Sequence, residues 1–161
     1  MKRLSYSAPI IIVTLFALVL VAEPPSARAQ GLKLYYLTAS SFAGDVATQA
    51  CATGYHMASI AELSDLGNHR YVIFDPDAYK ANGDQGHGPP TDIYGWLRTG
   101  ETTSSTSNCS LWKSTSSGDT GLTAAITINI GGAPSVQALV WDLESDSCTA
   151  TNHVWCTEDY D

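Results

Sequence analysis

Residues 56–62 read His56-Met57-Ala58-Ser59-Ile60-Ala61-Glu62. Ser59 followed three places later by Glu62 is a capping box: the serine side chain accepts from the Glu62 amide, and the glutamate reaches back to the serine amide. A short helix is therefore expected to open at Ser59 and to end near Gly67-Asn68. Upstream, Leu34-Tyr35-Tyr36-Leu37-Thr38 is rich in β-formers and reads as a first strand. Between the two, Ser40 and Ser41 are placed to cap another helix running to about Ala52. Val46, Ala47, Ala50 and Cys51 form its narrow apolar stripe, and Gly54 follows as its terminating glycine.

Downstream the pattern changes to strands and turns. Tyr71-Val72-Ile73-Phe74 is a short extended piece. Asp75 to Asp92, with three prolines and three glycines, reads as a long surface loop. Tyr94 to Thr99 is expected to be a central strand, Glu101 to Asn108 a polar loop, and Leu111-Trp112 the start of another β-like piece before a turn at Ser114 to Gly118. In Ala124 to Ile130, Ile126, Ile128 and Ile130 alternate with Thr127 and Asn129, the signature of a half-buried strand. Gly131 to Pro134 turns the chain into a strand over Val136 to Leu143, and His153-Val154-Trp155-Cys156 is the last. Two short helices followed by many strands predict an α+β domain.

The N-terminus has a different character. Lys2 and Arg3 precede an apolar run from Pro9 to Ala22, Pro24 and Pro25 break it, and Ala27-Arg28-Ala29 supplies an A-x-A site. That order reads as a signal peptide over residues 1–29, leaving one domain at 30–161, secreted or periplasmic. The apolar run is shorter than the ~20 residues that span a bilayer, so no stable membrane insertion is expected after cleavage. With the leader gone, Lys33, Arg70, Lys80, Arg98 and Lys113 face 15 of the 16 acids, for a net charge of about −10. A surface of that sign repels phosphate backbones and argues against nucleic acid as a partner.

Cys51, Cys109, Cys148 and Cys156 all follow the leader, and an even count in an exported chain implies two disulfides. No C-x-x-C is present, so neither a zinc knuckle nor a thioredoxin-type site is indicated. Spacing alone leaves three connectivities open.

Taken together, these residues resemble the C-type lectin-like fold. Cys51 closes the first helical stretch, Met57-Ala58-Ser59-Ile60-Ala61-Glu62 is similar to that fold's second-helix segment, and Gly95-Trp96-Leu97-Arg98-Thr99-Gly100 resembles its central Trp strand. Val154-Trp155-Cys156-Thr157-Glu158 resembles its ending, and the likeness runs from about Leu34 to Glu158. More narrowly, Gly54 to Ser59, Gly88-Pro89-Pro90 and the Trp-Cys ending resemble a set of secreted bacterial proteins with endostatin-like, C-type lectin-like domains. The resemblance implies a twisted, mostly antiparallel sheet with long loops. It also implies nested bridges, Cys51 with Cys156 and Cys109 with Cys148, and a non-catalytic binding module for a protein or carbohydrate.

The fold's familiar calcium-dependent sugar sites use a Glu-Pro-Asn or Gln-Pro-Asp triplet and a Trp-Asn-Asp triplet. Neither is present here; Trp141-Asp142 keeps only part of the second. Asp142, Glu144 and Asp146 alternate, and on a strand they would share one face roughly 7 Å apart. That makes them either a solvated acidic edge or a candidate calcium site. Asp75-Pro76-Asp77 begins like an EF-hand loop, but Tyr79 and Lys80 replace the ligand and glycine it needs. Candidate ligand contacts are Asp92, Arg98 and Trp112, with the two long polar loops beside them. Trp96 and Trp155 are expected in the core, Trp112 is expected to be more open, and His56 to be a buried, hydrogen-bonded histidine. Catalysis lacks a motif: no Gly-x-Ser-x-Gly or His-Glu-x-x-His occurs. A small hydrolase using His87 with Asp84 or Asp92, and a structural envelope protein, are the alternative readings.

Overall fold

The computed structural model describes residues 31–72, 76–79, 88–103, 107–130 and 136–159. The expected leader at residues 1–29, and Asp84 and His87 of the long loop, lie outside them. The strands are β1 (Lys33–Leu37), β2 (Tyr55–Met57), β3 (His69–Tyr71), β4 (Gly95–Trp96), β5 (Thr120–Ile130), β6 (Val136–Ser147) and β7 (His153–Glu158). Two short α-helices, α1 (Ile60–Leu63) and α2 (Cys109–Trp112), complete a mixed α+β architecture together with short 3-10 turns at Ala47–Gln49 and Leu66–Asn68.

The strands form one seven-stranded sheet in the order β3-β1-β7-β4-β5-β6, with β2 also on β7. Pairings are antiparallel except β1 with β3 and β4 with β7. β7 is the organising strand. Tyr36 of β1 and Met57 of β2 both register on Cys156, while Gly95 and Trp96 of β4 register on His153 and Val154. β4 and β2 therefore lie end to end along one side of β7. The chain leaving β4 then bridges Arg98 to Ser59, with the Arg98 amide donating to Ala58 O and the Ile60 amide to Arg98 O.

Trp96 and Trp155 are fully buried, with Tyr36, Leu37, Met57, Leu63, Leu97 and Val154 around them. Their indole N–H groups are satisfied by backbone oxygens, Trp96 Nε1 by Phe42 O at 2.7 Å and Trp155 Nε1 by Ala124 O at 2.8 Å, which removes the cost of burying them. Gly95 is required by this packing: a Cβ there would fall on Leu37 Cδ1 and lie 2.9 Å from Trp155 Cδ1.

Two disulfides close the fold, Cys51–Cys156 and Cys109–Cys148. They are nested, with sequence separations of 105 and 39. In the loop-entropy picture the outer bridge contributes about 4.7 kcal/mol and the inner about 4 kcal/mol, by constraining the unfolded chain.

Several local expectations are corrected. The helix expected from Ser40 to Ala52 is absent; only Ala47–Gln49 makes a 3-10 turn. The backbone there is claimed by distant partners. Phe42 and Asn152 exchange both hydrogen bonds, at 2.7 and 3.1 Å, and the Gly44 amide donates to Cys148 O at 3.1 Å. Val46 of the supposed apolar stripe is 40% exposed. The second helix ends at Leu63, earlier than Gly67. The central strand covers Gly95–Trp96 rather than Tyr94 to Thr99; of the piece expected at Tyr71 to Phe74, Tyr71 closes strand His69–Tyr71, the Val72 amide donates to Tyr35 O, and Ile73 and Phe74 lie outside the described residues. Leu111-Trp112 is helical, not β, and Trp112 is buried rather than open, at 7% exposure. Both ends of the long loop are tied into the domain: Ala78 bridges Thr38, Thr91 bridges Ile126, and Ala78 and Pro90 are buried.

Candidate functional site

Where β4 gives way to loop, a cavity of about 570 Å³ opens between three pieces of chain. The α1 cap supplies Ser59 and Glu62. The segment after β4 supplies Arg98, Thr99, Gly100, Glu101 and Thr102. α2 and its N-cap supply Asn108, Leu111 and Trp112, and Thr48 also lines the cavity. The volume falls in the range of small-molecule sites.

The α1 wall is fixed by its cap. Glu62 Oε2 accepts from the Ser59 amide at 2.8 Å and from the Ser59 hydroxyl at 2.7 Å, while Oε1 lies 2.8 Å from His56 Nε2. The other ring nitrogen, Nδ1, lies 2.6 Å from Asp159 Oδ1. Burial raises the Glu62 carboxyl, but the Ser59 donors and then His56 outweigh it and carry the group down to about 2. Glu62 is thus an anchored anion, already occupied on both oxygens. Arg98 approaches it as well, with a terminal guanidinium nitrogen 3.5 Å from Oε2. His56 is hydrogen-bonded as expected, but its side chain is 27% exposed rather than buried.

The α2 wall has an unusual backbone. Cys109, Ser110, Leu111 and Trp112 all have positive φ, from 48° to 62°. A left-handed turn of four residues with side chains costs roughly 1–2 kcal/mol per residue, and it persists only where its surroundings enforce it. Three features do so here. Cys109 is bridged to Cys148. Asn108 caps the turn, its Oδ1 accepting from the Leu111 amide at 3.0 Å while its Nδ2 donates to Thr103 O at 2.9 Å. Trp112 packs edge-on against Trp96. The result turns Trp112 inward to line the cavity and leaves Leu111 37% exposed beside it. Gly100, at φ +85°, makes the turn on the opposite wall, a conformation that side-chain-bearing residues rarely adopt.

Of the candidate contacts, Arg98 and Trp112 meet at this cavity; Asp92 does not line it. Asp92 is exposed at φ 59°, its amide donating to Ile126 O. Asp142, Glu144 and Asp146 lie on β6; the first two both act on the Tyr94 hydroxyl, and Asp146 has other partners. Asp142 accepts from the Tyr94 hydroxyl at 2.6 Å, a bond that holds the phenol above its usual range. Asp146 accepts from Asn152 Nδ2 at 2.8 Å and the Ser147 amide at 2.7 Å, and Glu144 is exposed. Among the described residues, no group of three or more His, Cys, Asp or Glu is arranged to hold a metal ion.

Sequence reasoning did not mark Thr48, Ser59, Glu62 or Leu111 as site residues. The signal for Ser59 and Glu62 was present, since the capping box that starts α1 is also a cavity wall. Comparison with protein-family models, with curated proteins and with solved structures gives no match.

Proposed function

We propose that this chain is an exported, non-catalytic binding module of C-type lectin-like type, which takes a protein or glycan ligand in the cavity walled by Arg98 and Trp112. The observation that carries the reading is the cavity itself: about 570 Å³, with hydroxyl, amide and guanidinium groups facing an apolar wall. Its walls are held by a helix cap, a disulfide-bridged turn and the segment leaving the interior strand β4, so the binding groups are positioned before a ligand arrives, which lowers the cost of binding. The two disulfides suit an oxidising compartment. Among the described residues no helix is long and apolar enough to cross a membrane.

The chemistry of the walls favours binding over catalysis. A general acid or base works best with its pKa near the working pH, whereas Glu62 sits near 2 and is held by three contacts. The Ser59 hydroxyl donates to that same carboxylate rather than to a histidine base. The test is a glycan array and a pull-down with the purified protein, each run with calcium and with a chelator. Saturable binding that Arg98→Gln weakens supports the reading. Binding is expected to survive the chelator, because among the described residues the cavity has Glu62 and Glu101 as its carboxylates and the first is occupied. Absence of any ligand, or a ligand indifferent to Arg98→Gln, contradicts it.

A further inference from the structure

We infer that the ligand is held through a carboxylate, and that Arg98 is the residue that binds it; this rests on the reading of the cavity as the ligand site. The starting point is an unfinished ion pair. Arg98 approaches Glu62 Oε2 no closer than 3.5 Å, outside the roughly 2.7–2.9 Å of a charge-assisted hydrogen bond. The reason is occupancy. Oε2 already accepts from the Ser59 amide and hydroxyl at 2.8 and 2.7 Å, and an oxygen with two lone pairs has no good site left. The anion beside Arg98 offsets its charge without using its donors.

The guanidinium is also anchored at its root and uncommitted at its tip. The Arg98 backbone is fixed on both sides, its amide to Ala58 O at 2.8 Å and its carbonyl to the Ile60 amide at 2.9 Å. Its side chain is 41% exposed and lines the cavity. Its Nε is buried with no hydrogen-bond partner among the described residues. An orphaned donor costs about 1–3 kcal/mol and calls for an explanation; here, swinging the head toward a ligand breaks no hydrogen bond at Nε. A planar guanidinium fork matches a planar carboxylate in two parallel bonds.

Charge selects among anions. Glu62 and Glu101 line the same cavity and the chain carries −8 overall, so a phosphate dianion is repelled more strongly than a single carboxylate. The remainder of the ligand is expected to be neutral and hydrogen-bonding, with an apolar side for Leu111. Two sources carry that chemistry: an acidic sugar, or the terminal carboxylate of a short acylated peptide.

Isothermal titration calorimetry of the purified protein separates them, using D-glucuronate beside D-glucose and N-acetylalanine beside N-acetylalaninamide. One acid is expected to bind at least about tenfold more tightly than its neutral counterpart. Arg98→Gln is expected to remove that preference and Arg98→Lys to restore part of it, neither lowering the thermal midpoint, since both remove the orphaned Nε donor. The acid that binds identifies the source. A neutral counterpart that binds as well as its acid overturns the carboxylate inference while leaving the cavity as the ligand site. Equal acid binding by wild type and Arg98→Gln overturns it too. So does failure of both acids to bind when a ligand from the array is shown to occupy the cavity.

Discussion

Trp112 meets Trp96 edge to face, with ring centroids 5.7 Å apart and planes at 71°. Through this contact a wall of the cavity is continuous with the core, because Trp96 is fully buried in the sheet and hydrogen-bonded to Phe42 O. Gly121 of β5 lies beside both: a Cβ there would stand 2.8 Å from Trp96 Cζ3, 2.9 Å from Cys109 Sγ and 3.1 Å from Trp112 Cη2. Gly121→Ala is therefore expected to lower stability by about 1–3 kcal/mol through overpacking. Trp112→Ala should cost about 3–5 kcal/mol through the cavity it leaves. Urea denaturation followed by far-UV circular dichroism measures both; a neutral Gly121→Ala would show that the aromatic pair is not packed as described.

Glu62 makes the fold sensitive to acid in a defined window. Its carboxyl is lowered from 4.5 to about 2, so the native state holds the ionised form more tightly than the unfolded chain does. The stabilisation is present above pH 4.5 and is lost as pH falls toward 2. Other acids titrate in the same range, so the informative quantity is the difference between wild type and Glu62→Gln. That difference in urea midpoint is expected to be largest above pH 5 and to shrink steadily below 4.5. A difference independent of pH would contradict the network around Ser59 and His56.

Leu111 separates stability from binding. It sits at φ 62° and is 37% exposed, so Leu111→Gly removes the left-handed penalty, about 1 kcal/mol, at little loss of burial. Greater flexibility of glycine in the unfolded chain offsets part of this. The variant is expected to be as stable as wild type or up to about 1 kcal/mol more stable, yet to bind ligand more weakly because the apolar wall is gone. Thermal midpoint and affinity, measured on the same preparation, check the two halves.

The inner bridge supports the cavity more directly than the outer one. Cys109→Ala with Cys148→Ala should lower stability by about 4 kcal/mol and release the left-handed turn, so that Trp112 fluorescence shifts toward the exposed range before global unfolding. Intact mass should rise by four hydrogens on reduction, as two disulfides require. Free thiols in the unreduced protein would contradict this arrangement.

What could be read from the chain was local. The capping box at Ser59 and Glu62, the Trp96 and Trp155 core positions and the parts of β5 and β6 over Ala124 to Ile130 and Val136 to Leu143 follow from spacing and side-chain type over a few residues, while the turn expected at Gly131 to Pro134 lies outside the described residues. What could not be read depends on distant partners. No local rule reveals that Asn152 and Cys148 claim the Phe42 and Gly44 backbone in place of a helix. Nor does any reveal that the bridge to Cys148 and the packing on Trp96 hold Cys109 to Trp112 in a left-handed turn, or that His56 joins Glu62 to Asp159, 103 residues away from His56. Arg98 and Trp112 were recognisable as residue types able to bind. Their convergence with Glu62 comes from β4 and β2 sharing one side of β7, which is a property of the sheet.

The most direct test of the cavity as the binding site is a nitrogen-15 NMR titration of the purified protein with a ligand from the glycan array or the pull-down. The account predicts saturable shifts at the amides of Arg98, Thr99, Gly100 and Asn108 and at the Trp112 indole, all reporting one dissociation constant. Shifts confined to Asp142, Glu144 and Asp146 on β6, with the Trp112 indole unmoved, would contradict it.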